Sequence, residues 1–421
     1  MNPIFKTVCV VGLGYIGLPT AAMLASRGVQ VIGLDVNRRI VDTLNNGGVI
    51  IVEPYLDELV HSTVVSGKLR ATMTPEPADV FIIAVPTPFK GDHEPDVSYV
   101  ERAVRGISPV LRPGNLVILE STSPVGTTRS ISHWIAEERP DLTLPHEAGN
   151  EADVQVAHCP ERVLPGRIIQ ELVDNDRIIG GMTPRAADMA AALYEIFVRA
   201  ECLKTDDKTA ELCKLVENSY RDVNIAFANE LSLVCEKVGV DVWSLISLAN
   251  RHPRVNILQP GPGVGGHCIA VDPWFIVHSA PDTARLIRTA REVNDSKPHH
   301  VVQRVRDAVA KSGQPKIACF GLAFKADVDD LRESPAVNIV AELSVDISME
   351  VLVVEPHVEE LPAILRDRPN IRLVDVATAL AEAQIVILLV NHKPFATISS
   401  ETLSKYTIID TRGDWSSAFG T

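Results

Sequence analysis

Val8-Cys-Val-Val-Gly-Leu-Gly-Tyr-Ile-Gly17, then Leu18–Arg27, Gly28 and Val29–Asp35, is the stretch whose reading decides the fold. Val8–Gly12 is a short β-branched run with strand character. Leu18–Arg27 reads as a helix, and Gly28 stands where a left-handed closing residue is wanted. Val29–Asp35 is a second apolar strand. A glycine triplet at G-x-G-x-x-G spacing is weak evidence alone and strong evidence where a strand turns into a helix. Here Gly12 permits the tight turn, Gly14 lets backbone approach a pyrophosphate, and Gly17 lets the helix pack on the strand. The helix start, with Tyr15 and Ile16 in the turn, then offers N–H groups and partial positive charge to phosphates. Asp35 closes the second strand, where a carboxylate takes ribose hydroxyls and repels a 2′-phosphate. NAD is therefore the expected cofactor rather than NADP, with Arg38 and Arg39 nearby as the one opposing feature.

The same rhythm runs outward from this unit. Asp79–Val85 and Asn115–Ser121 are continuous apolar strands, the pattern of a parallel sheet covered on both faces. From Lys208 to Gly239 the chain is nearly without Gly and Pro, and Leu212, Leu215, Val216, Val223, Phe227, Leu231 and Val234 recur at helical spacing. A long helix is expected there, with a shorter one at Val242–Ala249. Strands return at Lys316–Gly321, Glu350–Glu355, Gln384–Val390 and Thr407–Asp410. The fold class is α/β, with two Rossmann-like doubly wound domains joined by a long central helix. The expected divisions are 1–200 for cofactor binding, 201–300 for a helical region carrying the Cys268 loop, and 301–421 for a second α/β domain.

At 421 residues the chain is too long for one ordinary core. Its 40 basic and 54 acidic residues give a net charge of −14, which argues against non-specific binding to nucleic acid or a membrane surface. Seven widely spaced cysteines with no CxxC pair suggest neither a disulfide framework nor a zinc site, so no metal is expected. No charged segment leads into an apolar one near the start, and Ile385–Val390 is too short to span a bilayer. A cytoplasmic location is the expectation.

The chemistry concentrates in Gly261-Pro-Gly-Val-Gly-Gly-His-Cys-Ile-Ala-Val-Asp-Pro273. A thiol directly after a glycine cluster, with Asp272 four residues on, reads as a nucleophile in a tight pocket. A small apolar Cys filling a turn fits the same residues. Thr87 in Pro86-Thr-Pro88, and Thr122 and Thr128 in and after Glu120–Gly126, sit beyond strand ends, where such sheets bind ligands. Ordinary turn and cap chemistry explains them equally. Glu161, in the Pro-bounded loop Cys159–Gly166, is either a general base or half of a solvated pair with Arg162. Lys214, Asn218 and Arg221 occupy a strip of about 60° on the long helix, which suits an anionic ligand or plain solvent. Arg251-His-Pro-Arg254 and the passage Phe320–Ala336, with Lys325 and Arg332, are either ligand contacts or charged surface.

Taken in order, these motifs resemble the UDP-glucose/GDP-mannose dehydrogenase family. The resemblance rests on Gly12–Gly17, Pro86–Pro88, Glu120–Gly126, Pro160-Glu161, Ala210–Tyr220 with Asn229-Glu-Leu231, Gly261–Asp272 and Gly321–Ala336, nearly the whole chain. It implies an NAD-dependent, four-electron oxidation of a nucleotide sugar at C6. Cys268 would carry a thiohemiacetal and then a thioester, beside Lys214 as oxyanion stabiliser. Asp272 and Glu161 would handle protons, and Thr122 would help place the hydrolytic water. Gly12, Gly14, Tyr15, Ile16, Gly17, Asp35, Thr87, Thr128 and Arg332 would contact NAD. Arg162, Val163, Lys214, Asn218, Arg221, His252, Arg254, Gly265, Phe324 and Lys325 would hold the UDP-sugar, in a homodimer packed through the long helix. UDP-glucose dehydrogenases usually carry Ser before this Cys and Lys before this Asp, where His267 and Val271 stand. That departure, with Cys159–Arg167, resembles the branch acting on UDP-N-acetyl-D-mannosamine. UDP-N-acetylglucosamine and UDP-glucose are the alternative substrates. A catalytically dead NAD sensor and a two-electron hydroxyacid dehydrogenase are the competing classes.

Overall fold

The computed structural model describes residues 5–415 apart from 52, 92, 165, 267, 314 and 315. His267 therefore lies outside the described residues. The chain clusters into two compact units, Met1–Glu217 and Asn218–Thr421.

The first unit is built on strands β1 (Thr7–Val11), β2 (Gln30–Leu34), β3 (Leu69–Thr72), β4 (Val80–Ile83), β5 (Leu116–Leu119), β6 (Gln155–His158), β7 (Arg177–Gly181) and β8 (Cys202–Asp206). Their order is β8-β7-β6-β5-β4-β1-β2-β3. The six strands from β3 to β6 give the 3-2-1-4-5-6 order of a dinucleotide-binding sheet, with the topological switch where β1 meets β4. The expected continuous parallel sheet ends at β6: β7 pairs with it antiparallel, and β8 runs parallel to β7. Helices α1 (Gly17–Ser26), α2 (Thr127–Glu138) and α3 (Pro184–Tyr194) follow strands in the usual crossovers. Helix α1 is buried almost all round, which explains why its short side chains, Ala21, Ala22 and Ala25, suit it. Two apolar clusters, one on each face of the sheet, form its core.

Helix α4 (Asp207–Val238) runs through the boundary of the two units, and α5 matches the expected Val242–Ala249. In the second unit α6 (Asp272–Ser279) and α7 (Arg285–Ser312) precede β9 (Ile317–Phe320), α8 (Pro335–Leu343), β10 (Val351–Val354), β11 (Ile371–Leu373), β12 (Ile385–Leu388) and β13 (Thr407–Asp410). The sheet order is β11-β10-β9-β12-β13, parallel throughout. Its core carries Phe320 edge-on to Phe395 and Trp415, centroids 5.2 and 5.1 Å away. Among the described residues no helix is long and apolar enough to cross a membrane.

Both sheets open with the same turn. Gly12 has φ +93° and its N–H reaches Leu34 O at 2.8 Å. Gly321 has φ +91° and its N–H reaches Val354 O at 2.8 Å. A Cβ at Gly12 would stand 2.5 Å from Ala84 O, and one at Gly321 2.4 Å from Val390 Cβ. Both positions thus need glycine for conformation and for space.

Candidate functional site

In the first unit the fingerprint loop is shaped for a dinucleotide. A Cβ on Gly17 would meet Gly12 O at 1.9 Å, so only glycine lets α1 begin that close to the turn. A Cβ on Gly14 would meet nothing within 4 Å, so this backbone faces open space. Tyr15 is exposed and Ile16 half-buried beside it. The Asp35 carboxylate accepts from Leu13 N at 2.9 Å and Asn37 N at 2.8 Å. Those two bonds hold its position and leave lone pairs for ribose hydroxyls. This arrangement fits NAD.

Beyond the ends of β4 and β5, Thr87 Oγ1 donates to Thr122 O at 2.6 Å, tying two loops together. Thr128 is fully buried on α2 and its hydroxyl donates to Glu211 Oε1 at 2.6 Å. Glu211 also accepts from Gly126 N and Thr128 N, at 2.6 and 2.7 Å. It thereby caps α2 from α4, an arrangement that favours an anion at a helix start. The Thr128 donor is committed inside the protein.

Glu161 is buried, and both of its oxygens are occupied. Oε1 accepts from Arg162 N at 2.7 Å and Oε2 from Arg177 Nη2 at 2.5 Å. The same Nη2 donates to Glu120 Oε1 at 2.6 Å. The Arg177 guanidinium lies over the Tyr194 ring, 4.2 Å from its centroid. Burial, reinforced by the Glu161 charge, pushes the Glu120 carboxyl up to about 7 against the pull of Arg177. Arg162 forks onto Glu217, Nη2 to Oε1 at 2.6 Å, and Val163 packs on the core. His158, wholly buried at the end of β6, is pushed down to about 3 by burial. Lys214 is half-buried on α4, one turn before Asn218.

In the second unit Cys268 is exposed and its carbonyl accepts from Val271 N at 3.0 Å and Asp272 N at 2.8 Å. That turn delivers Asp272 to the start of α6, buried, where its Oδ2 accepts from Asn218 Nδ2 of α4 at 2.5 Å. Thus a backbone turn joins Cys268 to Asp272, and one side-chain hydrogen bond joins Asp272 to Asn218. The glycines before the thiol are moulded to their neighbours. A Cβ on Gly265 would meet Glu333 O at 2.5 Å and Pro335 Cδ at 2.7 Å, and one on Gly266 would meet the Phe324 ring at 3.2 Å. Gly263 lies against Pro298, the proline inside α7. Gly261 N donates to Asn229 Oδ1 at 2.9 Å, and Asn229 Nδ2 to Asn294 Oδ1 at 2.8 Å. Asn294 Nδ2 and Arg291 Nη1 both reach Asp222 Oδ1, at 2.8 and 2.6 Å. This buried network fixes the loop leading to Cys268 to α4 and α7. Breaking such a network by removing one charge costs about 3 kcal/mol or more.

The Gly321–Lys325 loop leaves β9 as Gly12–Gly17 leaves β1. Glu355 stands where Asp35 stands, but accepts from Leu322 N, Ala323 N, His357 N and His392 Nε2, at 2.7, 3.0, 3.1 and 3.0 Å. Burial opposes its charge, yet the His392 and Leu322 donors hold its pKa below the ordinary value. His392 Nδ1 in turn accepts from Asp327 N at 2.9 Å, so the loop is held at both ends with Lys325 exposed and Phe324 half-buried. Arg221, His252 and Arg254 are exposed, and Arg332 is turned onto Asp330, Nη2 to Oδ2 at 2.6 Å. A cavity of about 420 Å³ is lined by Trp243, Gln259, Pro260, Asn391, Arg412, Gly413 and Asp414. Burial pushes the Arg412 guanidinium down to about 10.

Sequence reading missed Arg177, His392 and Arg412. An arginine opening the otherwise apolar run Arg177–Gly181 was the one available signal; the others stand in no pattern.

Three regions match the UDP-glucose/GDP-mannose dehydrogenase family: its NAD binding domain over residues 6–198, its central domain over 208–296 and its UDP binding domain over 318–416. A Ralstonia nicotianae protein named NDP-N-acetyl-D-galactosaminuronic acid dehydrogenase is 61% identical over 98% of this chain and 97% of its own. A Campylobacter jejuni UDP-N-acetyl-D-mannosamine dehydrogenase is 60% identical over 96% of this chain and 99% of its own. The UDP-D-ManNAc dehydrogenase structure from Pyrococcus horikoshii matches with TM-score 0.86 at 38% identity, covering 97% of this chain and 96% of that one. The Staphylococcus aureus UDP-N-acetyl-mannosamine dehydrogenase matches with TM-score 0.83 at 43% identity, over 97% and 95%. The chain therefore belongs to the UDP-glucose/GDP-mannose dehydrogenase family, NAD-dependent oxidoreductases of nucleotide sugars.

Proposed function

We propose that this protein oxidises UDP-N-acetyl-D-mannosamine at C6 to UDP-N-acetyl-D-mannosaminuronate, consuming two NAD per sugar. The observation that carries the reading is the exposed Cys268 thiol one turn ahead of a buried Asp272 held by Asn218. Bound NAD supplies the hydride acceptor. A base first takes the C6 hydroxyl proton as the hydride leaves. Cys268 then adds to the aldehyde carbon. This tetrahedral adduct can give up a second hydride, which a bare aldehyde gives up poorly. Lys214 stabilises the oxyanion at that carbon. Loss of the second hydride leaves a thioester, and water placed by Thr122, with Asp272 or Glu161 taking its proton, cleaves the carbon–sulfur bond. Asn218 orients the Asp272 carboxylate through the bond described above.

Phe324, Lys325, Arg254, His252, Arg221, Val163 and Gly265 are read as sugar-nucleotide contacts. Trp243 and Arg412 add a flat surface and a cation suited to a base and a diphosphate. We read 1–200 as the NAD domain, 201–300 as a dimer-forming region and 301–421 as the UDP domain. The homodimer packs through exposed apolar side chains of α4, among them Leu212, Val216, Tyr220, Phe227 and Val234. A cytoplasmic site of action fits these substrates.

The Ralstonia relative's name and its 61% identity favour a second reading, an NDP-N-acetylhexosamine of galacto configuration. UDP-N-acetylglucosamine and UDP-glucose stand behind it. A panel of these nucleotide sugars with NAD, counting NADH per sugar consumed, decides. Two NADH per UDP-N-acetyl-D-mannosamine is the expected result. Turnover of another sugar and none of this one overturns the substrate.

A further inference from the structure

The first unit holds a buried charged cluster that the chemistry above does not use in full. One guanidinium nitrogen, Arg177 Nη2, donates to two carboxylates, Glu120 Oε1 at 2.6 Å and Glu161 Oε2 at 2.5 Å. All three side chains are nearly closed to solvent. Two ionised carboxylates around one cation would leave a net negative charge in the interior, where unpaired charge is most costly.

The hydrogen bonds show where a compensating proton fits. Glu161 accepts a donor at each oxygen, from Arg177 Nη2 and Arg162 N, the pattern of an ionised carboxylate. Glu120 differs. Its Oε1 accepts from Arg177 Nη2 and from the Tyr194 hydroxyl at 3.2 Å, while Oε2 accepts from a hydroxyl alone, Thr20 Oγ1 of α1 at 3.3 Å, rather than from an N–H that can only donate. A hydroxyl oxygen accepts as readily as it donates, so a proton on Glu120 Oε2 has a partner waiting. Among the described residues, the Tyr194, Cys159 and Cys202 side chains, of α3, the loop after β6, and β8, also face the cluster. Burial pushes each of them up, so none supplies charge near neutrality.

We propose that Glu120 and Arg177 are positioning residues for Glu161: Glu120 stores the one proton the buried trio requires on the oxygen facing Thr20, and Arg177 thereby keeps Glu161 ionised and fixed as a base. The role of Glu161 as a base rests on the function proposed above; the location of the proton does not. The rise of the Glu120 carboxyl to about 7 agrees with this sharing.

Infrared difference spectroscopy of the full chain, titrated across neutrality, tests it. Wild-type protein should show a protonated-carboxyl C=O band at pH 6 that titrates near pH 7. Glu120→Gln should abolish that band. Thr20→Val should keep the band and move it to higher wavenumber, because the acid loses its acceptor; this variant also decides the matter if Glu120→Gln does not fold. A band that survives Glu120→Gln, that is unmoved in Thr20→Val, or that is absent from wild type overturns the proposal. Single-turnover acid formation by Glu161→Gln separates the two claims. Its retention would remove Glu161 as the base and leave the position of the proton to the spectra.

Discussion

The two parallel sheets begin with one turn and end with opposite uses of it. In the first unit Gly12 opens the turn, Asp35 receives two backbone N–H groups, and Gly14 faces open space. In the second Gly321 opens the same turn, but Glu355 is filled by three N–H groups and the His392 imidazole. A Rossmann-like turn is therefore not a cofactor site by itself. It becomes one where the acid at the end of the second strand keeps acceptor capacity and the loop keeps an unfilled face. In the second unit the acid has become an internal clamp, which holds Phe324 and Lys325 and, through Phe324, the glycines before Cys268.

The largest effects should come from the shared glycine. Gly12→Ala and Gly321→Ala each force a positive-φ alanine into a gap of about 2.5 Å, so each should destabilise its unit by about 3 kcal/mol or more. Thermal scans with ligand separate them: NAD should still raise the melting temperature of Gly321→Ala and fail to do so for Gly12→Ala. Equal rescue of both would break the comparison.

Next come the acids. Asp35→Ala should raise the KM for NAD about tenfold or more, a loss of about 1.4 kcal/mol, and should cost less stability than Glu355→Ala because two donors rather than four lose their acceptor. Glu355→Ala should leave the KM for NAD alone and cost about 2 kcal/mol or more, because four donors lose their acceptor. Reversed outcomes would mean the two acids were misread.

A smaller effect belongs to pH. His158 is held neutral down to about 3, whereas an unfolded histidine takes a proton near pH 6.5. The unfolded chain then binds more protons across that window, so this contribution is fully present above pH 6.5 and is lost as pH falls toward 3. Glu120 acts oppositely, since its raised pKa favours the folded state below its unfolded value and that contribution is lost as pH rises through about 7. His158→Leu should thus flatten the fall in melting temperature from pH 6.5 to 4. An unchanged slope would show that His158 is not the acid-sensitive group.

The smallest structural effect is Gly14→Ala. Its methyl would meet no protein atom, so stability should stay within about 0.5 kcal/mol while NAD affinity falls. Unaltered NAD binding would place the pyrophosphate elsewhere.

What could be read from the sequence was local. The first turn, the long helix and α5 follow from glycine spacing and periodicity, and Asp207–Val238 differs from the expected span by one residue at each end. The 28-residue α7 was not expected, because Pro298 interrupts its pattern and normally ends a helix. The fold keeps that proline because its ring fills the space beside Gly263. The reversal at β7 also escaped notice, since strand direction leaves no mark in an apolar run. The Gly261–Pro273 motif marked Cys268 and Asp272 as candidates, whereas helical spacing left Asn218 open between a ligand and solvent. The Glu120–Arg177–Glu161 trio and the Glu355–His392 clamp join residues far apart in the chain, and only folding brings them together.

The proposed chemistry requires a covalent bond between Cys268 and the sugar. Rapid acid quench of the protein during turnover of UDP-N-acetyl-D-mannosamine and NAD, followed by peptide mass analysis, should find the oxidised sugar nucleotide attached to the peptide containing Cys268. The same experiment on Cys268→Ala should find no adduct and no uronate. Uronate formed by Cys268→Ala, or an adduct on a different residue, would contradict it.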